Sequence, residues 1–490
     1  MTGAEPDLVF IGHMGAGKTT AARQASNAAV DADRAFEERH GPIDAFFAAH
    51  GEAAFREREE ALVLELLDRG GVLALGGGAV ESPRIRAALR ERLVVWLDVD
   101  AETCWRRVEH STRPLATDRA AFAERFERRR PLYEEVARAI LPSASTVRPA
   151  LATLRALPTG ARMVWATAAG GEYPVVVGRG VRSMPAPAPG RAVVVTDEHV
   201  RSHWARDADV VMLPGEVHKT LSTAERIWRR LVELSVTRAD HLRAVGGGVV
   251  GDVTGFCAAT YQRGIGVVQV PTTVVAQVDS AIGGKTGVDL PEAKNYVGAY
   301  HQPLAVLADP ETLSTLPPAE HAAGYAEVVK TALIAGGPLW ERIASGAPVD
   351  EDVIFACART KVAVVAADER DGGRRQVLNL GHTVGHALEA LSDFRLPHGL
   401  AVALGLLVAL RLSGQDALRA QVAELLAARG LPTTYGDFDT DAVIAATRRD
   451  KKRVGATVPF VLVEAPGDVR HGQRVEDAAL RAAVEELRAS

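Results

Sequence analysis

The feature that most constrains the fold is a glycine-rich loop directly after a short apolar strand near the start of the chain. Residues 8–11 read LVFI, and Gly12-His-Met-Gly-Ala-Gly-Lys18-Thr19 follows, with a helix-compatible stretch behind it. This spacing fits GxxxxGK[ST], in which backbone N–H groups wrap phosphates, the lysine reaches the terminal phosphates and the threonine hydroxyl binds Mg²⁺. The order strand, loop, helix predicts an α/β domain with a parallel sheet and a nucleotide site.

The rest of the chain separates into further regions by pattern. Apolar runs alternate with charged, helix-period segments up to Pro310, and alanine- and leucine-rich segments follow it. Predicted strands cover 8–11, 72–75, 93–97, 175–178, 192–197, 209–215, 244–248 and 267–271, and predicted helices cover 319–346, 349–369, 379–393 and 399–429. The predicted organisation is a P-loop α/β domain at 1–145, a linker at 146–161, a second α/β subdomain at 162–310 and a helical subdomain at 311–490.

Composition excludes several classes of protein. The 490 residues carry 62 acidic and 57 basic side chains, a net charge of −5, which excludes a globally basic nucleic-acid binder. The longest apolar stretch, 399–410, is too short to span a membrane, and no signal-type run opens the chain. Cys104, Cys257 and Cys357 lie far apart, which predicts reduced thiols and a cytoplasmic protein.

Lysine is scarce, and its positions are informative. Only eight of the 57 basic residues are lysine: Lys18, Lys219, Lys285, Lys294, Lys330, Lys361, Lys451 and Lys452. A bias toward arginine removes lysine from ordinary surfaces. The surviving lysines are therefore expected where a compact ammonium must meet phosphate or carboxylate.

Further motifs narrow the function of the first domain. Asp31-Ala-Asp33 places two carboxylates on one face if the segment is a strand, and Gly76-Gly-Gly-Ala79 lets backbone approach a ligand. The segment Phe55-Arg-Glu-Arg-Glu59 and the arginines around Arg113 and Arg129 complete the set. In this order after a P-loop, the motifs resemble shikimate kinase over residues 8–140.

That resemblance implies roles. Shikimate would contact Asp33, Arg56, Gly77, Gly78 and Arg129, with the arginines gripping its carboxylate. ATP would contact Gly15, Ala16, Gly17, Lys18, Thr19, Thr20 and Arg113. Mg²⁺ would be held by Thr19 and Asp31, and Lys18 and a lid residue, Arg113, would act in catalysis. Twelve residues separate Lys18 from Asp31, which predicts a shortened helix and second strand. The alternatives are another small-metabolite kinase, such as a gluconate or nucleotide kinase, a weakly active kinase or a regulatory module without turnover.

The second half carries a nucleotide signal and a metal signal. Gly246-Gly-Gly248 ends a predicted strand and indicates close approach of backbone to a ligand, although it is not GxGxxG. One glutamate, Glu327, and a set of histidines lie on predicted helices. A carboxylate with two imidazoles suits an open Zn²⁺ site. By spacing, His386 at i,i+4 from His382 and the more distant His398 are equal candidates for the third ligand.

Together with Tyr261-Gln-Arg-Gly264, Arg375 and Asp450-Lys-Lys452, these motifs resemble 3-dehydroquinate synthase over about residues 162–465. The resemblance implies Zn²⁺, or alternatively Co²⁺, on Glu327, His382 and His398. It implies NAD on Asp197, Glu216, Lys219, Gly247, Gly248, Val249, Asp252, Thr272, Thr273, Lys285, Lys294, Asn295 and Thr315. It implies a sugar acid phosphate on Asp279, Lys285, Lys294, Asn295, Lys330, Lys361, Arg375, Asn379, His386, Lys451 and Lys452. Catalytic roles would fall to Lys285, Lys330, Arg375, His386 and Arg263.

The combined prediction is a bifunctional shikimate-pathway enzyme of aromatic amino acid biosynthesis. It would join a kinase that makes shikimate 3-phosphate to a lyase that converts 3-deoxy-D-arabino-heptulosonate 7-phosphate to 3-dehydroquinate and phosphate. The implied fold is α/β: an N-terminal P-loop kinase domain with a parallel sheet, a Rossmann-like NAD domain and an α-helical metal-binding domain. Arg263 would reach a neighbouring subunit's phosphate, implying a homodimer with neither nucleic acid nor membrane as partner. For the second half, a related sugar-phosphate cyclase and a metal-dependent polyol dehydrogenase are the alternatives.

Overall fold

The computed structural model describes residues 7–111, 115, 117–393, 395–436, 438–448 and 459–488. The chain divides into two compact units, Met1–Trp165 and Ala166–Ser490. Within the described ranges, none of the helices combines the length and the apolar character needed to cross a membrane.

Strands and helices alternate along most of the chain. The strands are β1 Leu8–Ile11, β2 Val30–Asp31, β3 Val72–Ala74, β4 Leu93–Leu97, β5 Ala139–Leu141, β6 Arg162–Ala168, β7 Gly171–Val177, β8 Ala192–Asp197, β9 Val210–Met212, β10 His241–Gly246, β11 Gly266–Pro271, β12 Lys285–Leu290, β13 Ala293–Tyr300, β14 Ala305–Ala308, β15 Phe460–Ala465 and β16 Asp468–Gln473. The helices of the first unit are α1 Lys18–Ala25, α2 Ala32–His40, α3 Ile43–Arg69, α4 Pro83–Leu89, α5 Ala101–Arg106, α6 Arg119–Val136 and α7 Val147–Ala156. Those of the second unit are α8 Glu198–Trp204, α9 Leu221–Glu233, α10 Gly248–Thr260, α11 Pro318–Ala335, α12 Gly337–Ala344, α13 Glu351–Ala367, α14 His382–Leu391, α15 His398–Leu412, α16 Asp416–Ala427, α17 Thr440–Thr447 and α18 Asp477–Glu485.

In the first unit the strands follow the order β2-β3-β1-β4-β5-β6, and the described pairings are parallel. All four residues of β1 are buried, as expected of a central strand covered on both faces. Leu8 pairs with Val72 on one side and Leu93 on the other, so β1 lies between β3 and β4. The phosphate-binding loop therefore leaves the carboxyl edge of the sheet from its interior, where ligands of open parallel sheets bind.

The segment predicted as a linker at 146–161 is instead structured. Residues Val147–Ala156 form α7, which buries Val147, Ala150 and Leu154 and packs against α1. The compact first unit extends through Trp165. The prediction was wrong because it weighed the Pro, Ser and Thr content over an apolar stripe at helical spacing.

In the second unit the strand order is β7-β14-β11-β10-β8-β9, again with parallel pairs, which confirms the α/β fold class. Helices α11 to α18 form the C-terminal helical region, as predicted. Two of the predicted helices are each divided at a glycine, Gly336 and Gly414, that has positive φ. Sequence analysis missed two antiparallel hairpins, β12–β13 and β15–β16.

Candidate active sites

The phosphate-binding loop lies between β1 and α1, as the sequence predicts. Gly15 and Gly17 have φ values of 85° and 95°, in the left-handed region that favours glycine. A Cβ at Gly15 would overlap the backbone of Cys104. Lys18 begins α1 and is buried, and its ammonium donates to the His13 carbonyl at 3.0 Å. The loop and the first turn of α1 can therefore bind phosphate through the helix N-terminus and this ammonium.

The two predicted Mg²⁺ residues meet beside this loop. The Thr19 hydroxyl donates a hydrogen bond to the Asp31 carboxylate. That carboxylate also caps α2, accepting from the backbone N–H groups of Asp33 and Arg34 at 3.0 and 3.3 Å. The prediction that Asp31 and Asp33 share a strand face was wrong, because the strand ends at Asp31. The predicted shortening is confirmed: α1 has eight residues and β2 has two.

The glycine turn after β3 contacts the predicted shikimate residues. A Cβ at Gly78 would overlap the Arg56 guanidinium, and one at Gly76 would overlap the Asp33 carboxylate. A Cβ at Gly77 would lie 3.0 Å from a backbone nitrogen of the phosphate-binding loop. Small residues here let a guanidinium, a carboxylate and the phosphate-binding loop converge around one short turn.

Arg129 on α6 is the second predicted carboxylate-binding arginine, and it is only 1% exposed. Its Nη2 donates to Glu81 at 3.0 Å, while its Nε and Nη1 have no hydrogen-bond partner among the described residues. Glu81 also accepts from Arg128 at 3.0 Å. Burial raises the pKa of Glu81, but the hydrogen bond and charge of Arg129 outweigh it and hold the pKa at about 2. The buried guanidinium is therefore paired with an ionised carboxylate.

Arg56 on α3 has a carboxylate partner of its own. Its Nη1 donates to Glu59 at 2.5 Å. Burial raises the pKa of Glu59 above its ordinary value, and the Arg56 charge opposes that rise. Sequence analysis identified neither Glu59 nor Glu81 as part of the site. The i,i+3 spacing from Arg56 was a usable signal for Glu59. Glu81 gave none, because it stands 48 residues from Arg129.

In the second unit, the predicted NAD residues gather at the carboxyl ends of parallel strands. Asp197 ends β8 and caps α8, Gly247 is the N-cap of α10, and Gly248 is the first residue of that helix. Thr272 and Thr273 follow β11, and a Cβ at Gly247 would press on the Thr273 methyl group. The backbone of the glycine turn is thus open for close approach by a ligand at the ligand-binding edge of the sheet.

Two more predicted NAD residues belong to the same edge. Val249 lies in the first turn of α10. The Thr315 hydroxyl accepts a hydrogen bond from the Trp204 indole at 2.8 Å, and Trp204 ends α8, the helix that Asp197 caps.

Lys219 connects other predicted NAD and substrate residues. Its ammonium donates to Asp252 at 2.6 Å and to Asn295 at 2.5 Å, and it lies 3.8 Å from Glu216. Glu216 in turn lies 3.9 Å from Lys294. Burial lowers the pKa of Lys219, but Asp252 and Glu216 outweigh it and raise the pKa above its ordinary value. The structure therefore brings these five predicted residues into one network.

Three predicted metal ligands converge in the helical region. The Glu327 Oε1 atom lies 3.1 Å from His398 Nε2 and 3.4 Å from His382 Nε2, and each offers a ligand atom within 4.8 Å of the others. Glu327 is 1% exposed, and its other oxygen is 2.5 Å from Lys330. Burial raises the pKa of Glu327, but Lys330 and His382 hold it well below its ordinary value. Sequence spacing left His386 and His398 open as the third ligand, and the structure places His398 with Glu327 and His382.

Glu389 is a second buried carboxylate beside this trio, and sequence analysis missed it. Its Oε2 lies 3.4 Å from His398 Nδ1, and its Oε1 accepts from Lys294 at 3.4 Å. With His386 and His398 it forms a second group whose ligand atoms lie within 4.8 Å of one another. A carboxylate on the far nitrogen of a ligating imidazole fixes the orientation of that ring. Glu389 lies three residues after His386 on the same helix, and this spacing could have identified it.

The helices that carry the trio approach one another backbone to backbone. A Cβ at Gly399, next to His398, would overlap the carbonyl oxygen of Ala323 on α11. A Cβ at Gly405 would overlap the carbonyl oxygen of Gly381, next to His382. The ligand positions therefore depend on contacts that leave no room for a side chain.

Predicted substrate lysines surround one carboxylate. Asp279 lies in a π-helical turn, Ala276–Ser280, and accepts from Lys330 Nζ at 2.8 Å. Lys361 donates both to the Asp279 carboxylate and, at 2.6 Å, to its backbone carbonyl. Burial raises the pKa of Asp279, but the two lysines outweigh it and hold the pKa at about 2. Burial lowers the pKa of Lys361.

Other predicted substrate residues lie on neighbouring elements. Arg375 is 1% exposed and donates to the Gly283 carbonyl at 3.0 Å, and its Nε has no partner among the described residues. Lys285, at the start of β12, pairs with Asp371 at 2.7 Å. Asn379 ends the short helical turn that precedes α14.

One predicted residue within the described ranges, Arg263, lies away from these sites. Arg263 is exposed beyond the far end of α10, about 20 Å from Gly248 by helix rise, and its φ is 70°. Arg113, Lys451 and Lys452 lie outside the described residues.

Comparison with known proteins assigns families to both halves of the chain. Residues 209–323 match the family model for the 3-dehydroquinate synthase N-terminal region, and 324–453 match that for the C-terminal region. A 3-dehydroquinate synthase from Caulobacter vibrioides is 44% identical over 326 residues, covering 60% of this chain and 88% of its own. One from Symbiobacterium thermophilum is 41% identical, covering 65% and 98%. The chain belongs to the 3-dehydroquinate synthase family.

The synthase is joined to a second enzyme domain. Residues 14–155 match the shikimate kinase model, so the chain is a fusion of a shikimate kinase domain with a 3-dehydroquinate synthase domain. That match covers α7 up to Arg155, in line with the structured first unit.

Solved structures similar to the synthase half bind a nucleotide and a metal. The match to 2-deoxy-scyllo-inosose synthase complexed with carbaglucose-6-phosphate, NAD⁺ and Co²⁺ has a TM-score of 0.59 at 25% identity, covering 66% of this chain and 99% of that one. A 2-epi-5-epi-valiolone synthase from Streptomyces hygroscopicus with NAD⁺ and Zn²⁺ bound also gives 0.59 at 25% identity, covering 64% and 96%.

Proposed function

We propose that the chain catalyses two reactions of the shikimate pathway at separate sites. The first unit transfers a phosphoryl group from ATP to shikimate. The second converts 3-deoxy-D-arabino-heptulosonate 7-phosphate to 3-dehydroquinate and phosphate, using NAD and a divalent metal, Zn²⁺ or Co²⁺. The observation that carries the second assignment is the convergence of Glu327, His382 and His398 beside the lysines on Asp279.

In the kinase site, the chain's own residues position both substrates. The N-terminus of α1 and Lys18 bind the phosphates of ATP, and Lys18 neutralises charge that develops during transfer. Arg56 and Arg129 bind the carboxylate of shikimate, and Asp33 accepts hydrogen bonds from its hydroxyls. The paired oxygens of Thr19 and Asp31 fit Mg²⁺, which supplies charge neutralisation at the phosphates when bound. Arg113 completes this proposal as a lid residue.

In the synthase site, the donor set fits a metal and the glycine turn fits a dinucleotide. One carboxylate and two imidazoles are a usual open set for Zn²⁺. A metal bound there would supply Lewis-acid polarisation of a substrate hydroxyl, and bound NAD would supply reversible hydride transfer. Glu327, His382 and His398 would hold the metal. Gly247 and Gly248 let backbone approach the pyrophosphate at the N-terminus of α10.

The cations of the site bind the anionic groups of the substrate. Lys330 and Lys361 are oriented by Asp279, and Lys294 by Glu389. Arg375 is buried with Nε available, and it binds the carboxylate. We also propose that the synthase half forms a homodimer in which Arg263 reaches the phosphate bound by its partner. The three buried thiols support a cytoplasmic location.

The test supplies each substrate separately to the full-length protein. ATP with shikimate should yield ADP, and the heptulosonate phosphate with NAD and Zn²⁺ should release phosphate without net NADH. Lys18→Ala should lower the first rate by about a hundredfold or more and leave the second unchanged. Glu327→Ala should do the reverse.

Glu341→Ala, which removes an exposed carboxylate from α12, is the matched control and should alter neither rate. Phosphate release from a carboxylate-free sugar phosphate instead would assign the second half to a related cyclase. Absence of shikimate-dependent ADP formation would overturn the kinase assignment.

A further inference from the structure

Glu81 lies between the cations assigned to the shikimate carboxylate. Its Oε2 is 3.0 Å from Arg129 Nη2 and 3.9 Å from Arg56 Nη2. Its Oε1 is 3.0 Å from Arg128 Nη2. One protein carboxylate thus reaches both substrate arginines and a third arginine beside them.

The Glu81 carboxylate occupies the space between the two substrate arginines. A guanidinium offers two bidentate edges, Nε with Nη2 and Nη1 with Nη2, and both include Nη2. The Nε and Nη1 atoms of Arg129 have no partner among the described residues. Each edge has its own N–H on Nη2, so the edge that Glu81 does not face stays open. A ligand carboxylate that bridges Nη2 of Arg129 and Nη2 of Arg56, however, would take the place of Glu81 Oε2, which lies within 3.9 Å of both atoms.

Glu81 has a route for leaving. Its side chain is 27% exposed, whereas that of Arg129 is 1% exposed. Arg128, which holds its other oxygen, is 57% exposed and lies on the solvent side. A rotation that keeps the Arg128 contact would release Arg129 without leaving the Glu81 carboxylate unpaired. By contrast, Glu59, on Arg56, is nearly buried and has no comparable exit.

We propose that Glu81 is an internal competitor for the substrate-carboxylate subsite of the kinase, and that shikimate binds by displacing it from Arg129. This rests on the proposed kinase function. Glu81 is thus a specificity-determining residue: it weakens binding of every carboxylate ligand and leaves neutral ligands unaffected.

The experiment measures dissociation constants by calorimetry on the full-length protein, for shikimate and for its neutral carboxamide. Glu81→Gln keeps the shape of the side chain and removes its charge. Shikimate should bind about threefold to tenfold more tightly to this variant, because a charge-assisted bond is replaced by a weaker neutral one. Binding of the carboxamide should stay within about twofold. In turnover, KM for shikimate should fall while kcat is unchanged.

Glu135→Gln is the matched control, since it removes a carboxylate that pairs with Arg86 and Arg90 in the same unit. It should change neither affinity. Glu81→Asp, which shortens the reach toward Arg129 and keeps the charge, should give an intermediate gain and provides a second variant if the first folds poorly.

Weaker binding of shikimate by Glu81→Gln would show that Glu81 positions Arg129 instead, and would overturn the proposal. Equal changes for shikimate and its carboxamide would overturn it as well. If the wild-type chain binds neither ligand and phosphorylates no shikimate, the proposed kinase function fails and this inference fails with it. Wild-type activity with unchanged affinity in Glu81→Gln refutes only the inference.

Discussion

The two sites differ in how the carboxylates that pair with their cations are surrounded. In the kinase unit, Glu81 is partly exposed and pairs with a buried arginine, Arg129. In the synthase unit, Asp279 lies between two lysines, Lys330 and Lys361, whose side chains are 1% and 9% exposed. The two carboxylates are similar in exposure, 27% for Glu81 and 18% for Asp279, and the pKa of either acid is held at about 2. The difference lies in their partners, because Arg128 on Glu81 is 57% exposed whereas both lysines on Asp279 are nearly buried. A carboxylate with a partner on the solvent side can be exchanged for a ligand, whereas one held between two buried ammonium groups is part of the scaffold.

The largest expected effect concerns the enclosed carboxylate. Asp279→Ala leaves two buried ammonium groups short of a counter-ion and should destabilise the second unit by about 3 kcal/mol or more. Asp279→Asn, which retains an acceptor, should cost less. Urea-dependent thiol labelling reports each unit separately, since Cys357 is buried in the second and Cys104 in the first. The Cys357 curve should shift and the Cys104 curve should not.

The same measurement on Glu81→Gln sharpens the contrast. Its Cys104 curve should move by less than about 1 kcal/mol, as for a partly exposed pair. A shift as large as that of Asp279→Ala would mean that both carboxylates are structural, and the distinction between the two sites would be lost.

An intermediate effect is expected for Glu389, the carboxylate on the far side of His398. Glu389→Ala should weaken Zn²⁺ binding by about 10- to 100-fold, because the His398 ring loses the partner that orients it. Glu389→Gln should weaken it less. Competition with a chromogenic chelator measures the dissociation constant independently of turnover. Unchanged Zn²⁺ affinity in the alanine variant would show that the helices alone orient His398.

The smallest expected effect is on the pH dependence of shikimate KM, where wild type and Glu81→Gln should not differ. The pKa of Glu81 is depressed to about 2 from an ordinary value near 4.5, so its pairing with Arg129 is complete above that ordinary value and is lost only as pH falls toward 2. The ratio of shikimate KM between wild type and Glu81→Gln should therefore be constant from pH 6 to pH 8.5. A ratio that falls toward pH 6 would indicate that Glu81 is not held by Arg129.

The sequence predicted the features formed by residues close together in the chain. It did not predict contacts between residues that are far apart in the chain. The phosphate-binding loop needs its glycines, Lys18 and Thr19 in one segment, so its spacing was sufficient. The choice of His398 over His386 could not come from spacing, since it depends on where α15 lies against α11 and α14. Glu81 was not predicted for the same reason, because it contacts Arg129 from 48 residues away.

Other errors were avoidable. Val147, Ala150 and Leu154 recur at helical spacing in the segment predicted as a linker, and all are buried in α7. Asp31 precedes a helix-compatible stretch, which is typical of an N-cap. In both cases the sequence contained a helix signal, the apolar spacing in α7 and the N-cap at Asp31.

The contacts of Gly399 with Ala323 and of Gly405 with Gly381 bear on how this site tolerates change over generations. Where helices touch through backbone, their separation at these two points is set by backbone atoms. Volume-conserving substitutions elsewhere in the core should therefore disturb the ligand distances less than a substitution at either glycine. A single added methyl group at either glycine would separate the helices at the point where the ligands meet. The metal centre should therefore tolerate apolar substitutions around it better than any substitution at Gly399 or Gly405.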